Sequence, residues 1–282
     1  MVTVSSSNAL GSKIIAGPKQ AENIASINAE EASQISAFEL DQVLNLLELL
    51  EEDDWAQPTD CTEWNIRDMT AHLAGACAGY ANWKDFRRQA IFNAHIFRTI
   101  VTIDGINKRQ LEDRVDKSPH ELVDELHEVG PIAVRTRKNL PGILRILHIP
   151  AQPMPGFMSI RYLVDVIYPR DQWMHRMDIC RATGKTLIIT LGHDDRLLDQ
   201  VMRDVAKTLR GKLAIQVNIT GALRASYRFG SGEPIAELDI DFLTFNRRAS
   251  MRITAAEALQ GVTIRGDDTI AKSFFQKCSV LY

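Results

Sequence analysis

The 282-residue sequence predicts an α+β protein, a helical bundle followed by a small α+β domain, with the join near residue 211. Three observations carry this expectation. Apolar residues recur at helical spacing up to about residue 210, and the period drops to two after Gly211. A chain of this length can also bury two separate cores.

Residues 1–35 read as a flexible N-terminal extension. Their first part is rich in Ser, Ala and Gly and lacks the apolar centre of a secretory signal. Residues 36–211 form the expected bundle. Ser36-Ala37-Phe38-Glu39 has the pattern of a capping box, and Leu40, Val43, Leu44, Leu47 and Leu50 follow at helical spacing. Asn65 opens a second helix with Met69, Leu73, Ala76 and Tyr80 on one face. Ser118-Pro119-His120-Glu121 opens a third, whose buried stripe is Leu122, Leu126, Val129 and Ala133. A loop containing Pro141, Pro150, Pro153 and Pro155 comes next. A helix from about Ser159 to Ala182 then stops near Gly184, and a fifth runs from Asp195 to about Arg210. In residues 212–282, Leu213, Ile215, Val217 and Ile219 alternate with polar or small residues, as do Ala236, Leu238, Ile240 and Phe242. That is the pattern of half-buried antiparallel strands. Val262-Thr263-Ile264 adds a short strand and Asp267 to Lys277 a closing helix.

The net charge of −3 supplies no basic field for nucleic acid or anionic lipid. No run of 18 apolar residues is present to span a membrane. Cys61, Cys77, Cys180 and Cys278 lie far apart with no C-x-x-C pair. They read as free thiols, each a small buried hydrophobe, in a reducing and hence cytoplasmic setting.

The helix from Ser159 breaks its own apolar pattern. Its stripe of Ile160, Val164, Ile167 and Tyr168 continues as Asp171, His175 and Asp178, at i, i+4 and i+7 on one face. An acid and an imidazole on a buried face need partners. A divalent cation satisfies both, and so does a structural Asp–His hydrogen bond. His72, bordering the buried stripe of the second helix, is the natural third ligand. His95, His120, His127, His148 and His193 have no such setting and no role is expected for them.

The segment Pro58-Thr59-Asp60-Cys61-Thr62-Glu63-Trp64, followed by Ala71-His72-Leu73-Ala74, resembles the opening motif of the mycothiol-dependent maleylpyruvate isomerase family, part of the wider DinB-like metalloprotein superfamily. Asp171 to Gly184 is similar to the second signature of that family, an acid four residues before H-R-x-D-x-x-x-A-x-G. The resemblance covers the chain from about residue 36. It implies a DinB-like four-helix bundle with a C-terminal domain similar to sterol-carrier folds. Two positions depart from the pattern: Asp171 stands where Glu is usual, and Glu63 where glycine is usual.

The resemblance implies a divalent ion, with zinc the expectation from the ligand set, held by His72, Asp171 and His175 with one coordination position open. Asp178 is expected behind the ligands, bonded to one of them or to Arg176 or Arg67. Arg248, ahead of Arg247, is the implied catalytic cation for a carboxylate substrate. Trp64 and Trp173 are expected to pack. The implied partners are a small thiol, mycothiol or another, and a small electrophile, in S-transfer or cis–trans isomerisation. Three other readings stay open: a metal-dependent hydrolase, a non-catalytic metal- or ligand-binding protein, and an interaction scaffold.

Overall fold

The computed structural model describes residues 1–5, 17–92, 103–150, 156–211 and 213–282. The chain divides into two compact units, one of Ile27–Lys185 and one of Met1–Ser26 together with Thr186–Tyr282.

The first unit is built on five long helices: α1 (Ala29–Leu47), α2 (Ile66–Ala81), α3 (Ile103–Glu112), α4 (Pro119–Lys138) and α5 (Tyr168–Thr183). α4 packs along α1 and α2, and α5 packs against the same two, which closes a four-helix arrangement. α3 lies on α2. The caps at Asn65 and Ser118 stand where the sequence places them, the second as a complete capping box with Pro119 in the first turn. The start expected at Ser36 differs. α1 is capped eight residues earlier, where the Asn28 side chain accepts the main-chain N–H groups of Glu30 and Glu31. Glu39 caps nothing: it is fully buried and takes Arg176 of α5 through two contacts of 3.0 Å. Where a proline-rich loop is expected, His148–Pro150 pairs antiparallel with Phe157–Ser159; Pro153, Pro155 and His95 lie outside the described residues.

The helix expected from Ser159 is continuous from Ile160 through a wide π turn, Leu163–Ile167, into α5. The π turn has a local cause. Pro169 has no N–H, and in an α-helix its ring would meet the carbonyl of Asp165. The widened turn, in which the Tyr168 N–H donates to the Leu163 carbonyl, makes room for it. The helix ends at Gly184, whose φ of 70° gives the left-handed stop. Apart from Tyr168 and Asp171, every residue from Val164 to Cys180 is buried, so α5 is covered on all sides and not only along one stripe.

The second unit contains strands β1 (Val2–Ser5), β2 (Lys19–Gln20), β3 (Leu187–Thr190), β4 (Ile215–Thr220), β5 (Ala225–Phe229), β6 (Ala236–Asp241) and β7 (Thr263–Gly266). Its helices are α6 (Asp194–Leu209), α7 (Phe242–Ala249), α8 (Ala255–Leu259) and α9 (Asp268–Lys277). β1 and β3 pair parallel, and the other five strands form a sheet in the order β2-β5-β4-β6-β7. The period-two reading holds at its centre, but β4 and β6, expected as antiparallel strands, pair parallel with each other and antiparallel only with β5 and β7. Ile215, Val217 and Ile219 on β4 and Ala236, Leu238 and Ile240 on β6 are buried, while the residues between them face the other way.

The boundaries differ from those expected at 35/36 and 211/212. β3 and α6 belong with the sheet, together with the start of the chain. Lys19 pairs with Asp199 at 2.7 Å, and Arg196 and Arg203 of α6 donate to the carbonyls of Ala25 and Ile24. The ends of the expected flexible extension are thus tied down by strand pairing and hydrogen bonds, and its residues 6–16 lie outside the described residues. Among the described residues, no helix is long and apolar enough to cross a membrane.

The Glu39–Arg176 pair ties α1 to α5 inside the core. Glu39→Ala leaves the guanidinium buried without its bidentate partner, at a cost of about 3–5 kcal/mol. Urea unfolding of the two proteins measures it, and a loss below about 1 kcal/mol would show that the pair is not what joins the helices.

Candidate metal centre

α2 and α5 bring three side chains together. His72 Nε2 lies 3.1 Å from Asp171 Oδ2, and His175 Nε2 lies 3.1 Å from Asp171 Oδ1, so one carboxylate bridges two imidazoles. The i, i+4 spacing sets Asp171 and His175 one turn apart, and His72 meets them from the neighbouring helix. The potential ligand atoms all lie within 4.8 Å of one another. A tetrahedral ion with bonds of about 2.0–2.1 Å needs donors about 3.3 Å apart, so these three residues could hold a divalent cation if the atoms drew in around it. The histidines are 5% and 3% exposed, whereas the Asp171 side chain keeps 16% of its surface, which leaves the centre reachable from one side.

Each ring is held from behind. His72 Nδ1 is 2.8 Å from Gln110 Oε1, and His175 Nδ1 is 3.1 Å from Asp178 Oδ2. Both imidazoles therefore turn the same nitrogen, Nε2, toward Asp171. Burial alone would raise the Asp171 carboxyl, but the charges and hydrogen bonds of His175 and His72 outweigh it and hold the group well below the usual carboxylate range. Burial would lower His175; the Asp171 charge, with hydrogen bonds to Asp171, Asp178 and Cys61, instead holds its proton well above the ordinary histidine range.

The segment before α2 forms a clasp over the two rings. The Thr59 hydroxyl lies 2.8 Å from the Trp64 carbonyl and accepts the Cys61 N–H, and the Trp64 N–H donates to the Cys61 carbonyl. This is what the P-T-x-C-x-x-W spacing builds. Trp64 lies against His72 with ring centroids 4.9 Å apart, and against His175 at 6.1 Å. Cys61 stands beside His175 and Asp178, only partly buried, and is not the inert core residue expected from the sequence. The hydrogen bonds of the clasp hold it at that edge.

An apolar cavity of about 370 Å³ opens in the same unit, lined by Tyr80, Gln89, Ile106, Ile160, Leu163 and Tyr168 among others. Tyr168 precedes Asp171 by one turn. Arg137 is buried against the two tyrosines, 4.7 Å from the Tyr168 centroid and 5.8 Å from that of Tyr80, and its guanidinium nitrogens have no hydrogen-bond partner among the described residues.

The structure thus places His72, Asp171, His175 and Asp178 together. Of the partners considered for Asp178, His175 lies against it, Arg176 also reaches Glu39, and Arg67 donates to the carbonyls of Arg114, Val115 and Lys117. Arg247 and Arg248 lie on α7 of the other unit. Arg248 is buried there and its Nε donates to the Phe275 carbonyl at 2.8 Å. Sequence reasoning missed Gln89, Gln110 and Cys61. The signal for Gln110 was available in Ile103, Ile106 and Gln110, which continue one helical stripe with a polar residue at a buried position.

The fold and site define a two-unit protein in which a helical bundle presents two histidines and a carboxylate to one point. Residues 37–180, just over half of the chain, match the family described as the mycothiol maleylpyruvate isomerase N-terminal domain, and the chain belongs to that family. Two solved structures resemble it: a mycothiol-dependent maleylpyruvate isomerase, 13% identical, and a mutant of that enzyme, 12% identical. Each similarity has a TM-score of 0.55 and covers 86% of this chain and 95% of the other. At that identity the likeness is one of fold. No curated protein matches the sequence.

In metal-free protein, His175 is expected to hold its second ring proton to a higher pH than a free histidine does, as read by NMR titration of its imidazole. The raised value makes its contribution to stability full below about pH 6.5 and lost as the pH climbs through the folded-state value. The depressed Asp171 value contributes above about pH 3.9 and is lost as the pH falls through the folded-state value. An imidazole that loses its proton near pH 6.5, as a free histidine does, would show that the carboxylate is not held against it.

Proposed function

We propose that the protein is a metal-dependent enzyme that uses a low-molecular-weight thiol, mycothiol or a close analogue, for S-transfer to a small electrophile or for its cis–trans isomerisation. The observation that carries this reading is the pair of Nε2 atoms converging on the Asp171 carboxylate, on a bundle of the mycothiol maleylpyruvate isomerase family. His72, Asp171 and His175 would hold a divalent ion, zinc by the ligand set. Such an ion stabilises a thiolate over a thiol, so that the nucleophile exists at neutral pH.

The chain's own residues supply the rest. Asp178 and Gln110 hold the two rings, and Trp64 covers one side of the imidazoles so that access comes from the exposed edge of Asp171. Asp171 is one methylene shorter than the glutamate usual in the family. Its contacts with both imidazoles at 3.1 Å support the reading that α5 lies close enough for aspartate to serve. The apolar cavity beside Tyr168 suits the body of a small electrophile.

Elemental analysis of the wild type beside His175→Ala and Asp171→Ala tests the ligand set. About one divalent ion per chain is expected in the wild type and a large loss in both variants. Turnover of an electrophile should then require added thiol. Activity without thiol would make the protein a hydrolase, and a wild type that neither carries nor binds an ion would remove the enzymatic reading. Narrowing the cavity with Ile106→Phe is expected to raise KM for the electrophile several-fold and to leave KM for the thiol unchanged. An equal effect on both would place the electrophile elsewhere.

A further inference from the structure

Gln110 faces His72 from α3, and the end of its amide that faces the ring decides which imidazole nitrogen carries a proton. An amide can be turned over, so the decision must come from a group whose polarity is fixed. That group is the main-chain carbonyl of Gly75, which can only accept.

Gln89 lies 2.8 Å from the Gly75 carbonyl, and only its Nε2 can donate there. Its Oε1 is thereby turned to Gln110, which must answer with Nε2, at 3.0 Å. Gln110 then has only Oε1 left for His72, at 2.8 Å from Nδ1, and an oxygen at that distance calls for a proton on Nδ1. Donation runs one way along the series: His72 Nδ1–H to Gln110, Gln110 to Gln89, Gln89 to Gly75. His72, Gln89 and Gln110 are 5%, 6% and 1% exposed, so water does not compete for these bonds.

Two glycines seat the glutamines. Gly75 and Gly79 follow His72 at i+3 and i+7, on the same face of α2. A Cβ at Gly75 would stand 2.6 Å from Gln110 Cβ, and one at Gly79 would stand 2.8 Å from Gln89 Oε1. The face that carries His72 is bare where the two amides must lie.

We propose that Gln110 and Gln89 are positioning residues that form a one-way hydrogen-bond relay, anchored on the Gly75 carbonyl, which holds the proton of His72 on Nδ1 and reserves Nε2 for a divalent cation. The inference rests on the metal-binding reading above and deepens it, because it names what orients the first ligand. Gly75 and Gly79 are part of the device, since either side chain would displace an amide.

Nitrogen-15 NMR of the His72 ring tests the relay without any substitution. Nδ1 is expected to be protonated both in metal-free protein and after loading with zinc. A bare Nδ1 in the metal-free protein overturns the relay, whereas a protein with Nδ1 protonated that binds no zinc overturns the metal-binding reading and leaves the relay standing. Zinc affinity, read by competition with a chromophoric chelator, gives a second measure. Gln110→Met removes the acceptor at similar length and is expected to weaken zinc about 10–100-fold. Gln110→Glu keeps an oxygen at Nδ1 but sets its second oxygen against Gln89 Oε1, which the Gly75 carbonyl holds in place, so only part of the affinity should return. Zinc binding by Gln110→Met equal to that of the wild type would overturn the proposal. If that variant does not fold, the ring spectrum of the wild type decides.

Discussion

The helical unit depends on the requirement that polar groups on a fully enclosed helix be paired. α5 is covered on nearly every side, yet it and the π turn before it carry the charged or titratable Asp165, His175, Arg176 and Asp178 in the interior. An unpaired charge there costs several kcal/mol, so each one dictates a neighbour. Arg176 takes Glu39 of α1, Asp165 takes Arg145 at 2.7 Å, and His175 takes Asp178 on one side and Asp171 on the other. These demands position α1, α2 and the segment after α4 around α5, and the candidate centre is one instance of the same rule. The difference is that Asp171, alone in the group, keeps an edge toward solvent.

That rule also explains what could be read in the sequence and what could not. The helices that begin with Asn65 and Ser118 were legible because their caps are local, an oxygen and an N–H three residues apart. The pattern at Ser36 misled because Glu39 satisfies a demand set 137 residues later by Arg176, which no local rule can register. His72, Asp171 and His175 were legible as donors at ligand spacing on two helices. Gln89 was not, because its role is defined by a carbonyl fourteen residues away and by the space that Gly79 leaves open. The second unit shows the same division. Alternation disclosed β4 and β6, but β1 and β2 are four- and two-residue strands whose partners lie far along the chain, and only pairing gives them their state.

The two histidines reach the same orientation by unlike means. His175 is held by a carboxylate on its own helix three residues away, His72 by an amide from α3 that is itself held by a second amide. A carboxylate behind an imidazole strengthens its basicity, whereas an amide oxygen fixes the tautomer while adding no charge. With Asp171 already between the rings, a second acid behind His72 would add one more negative charge to be buried. The pairing of one acid with one amide orients both rings and limits the charge that must be buried with them.

The Thr59–Trp64 clasp shows why the first signature of the sequence is spread over so many residues. A histidine on a helix needs only its own position, but a ring placed in a particular plane needs a surface to rest on. Trp64 provides that surface, and it can do so only because the Thr59 hydroxyl closes the turn and Asn65 starts α2 immediately after it. The motif around His72 is therefore a single mechanical piece. Its threonine fixes the turn, its tryptophan covers the imidazole and its asparagine launches the helix that carries the ligand. The histidine could not keep its plane if any of the three were moved along the chain by one residue.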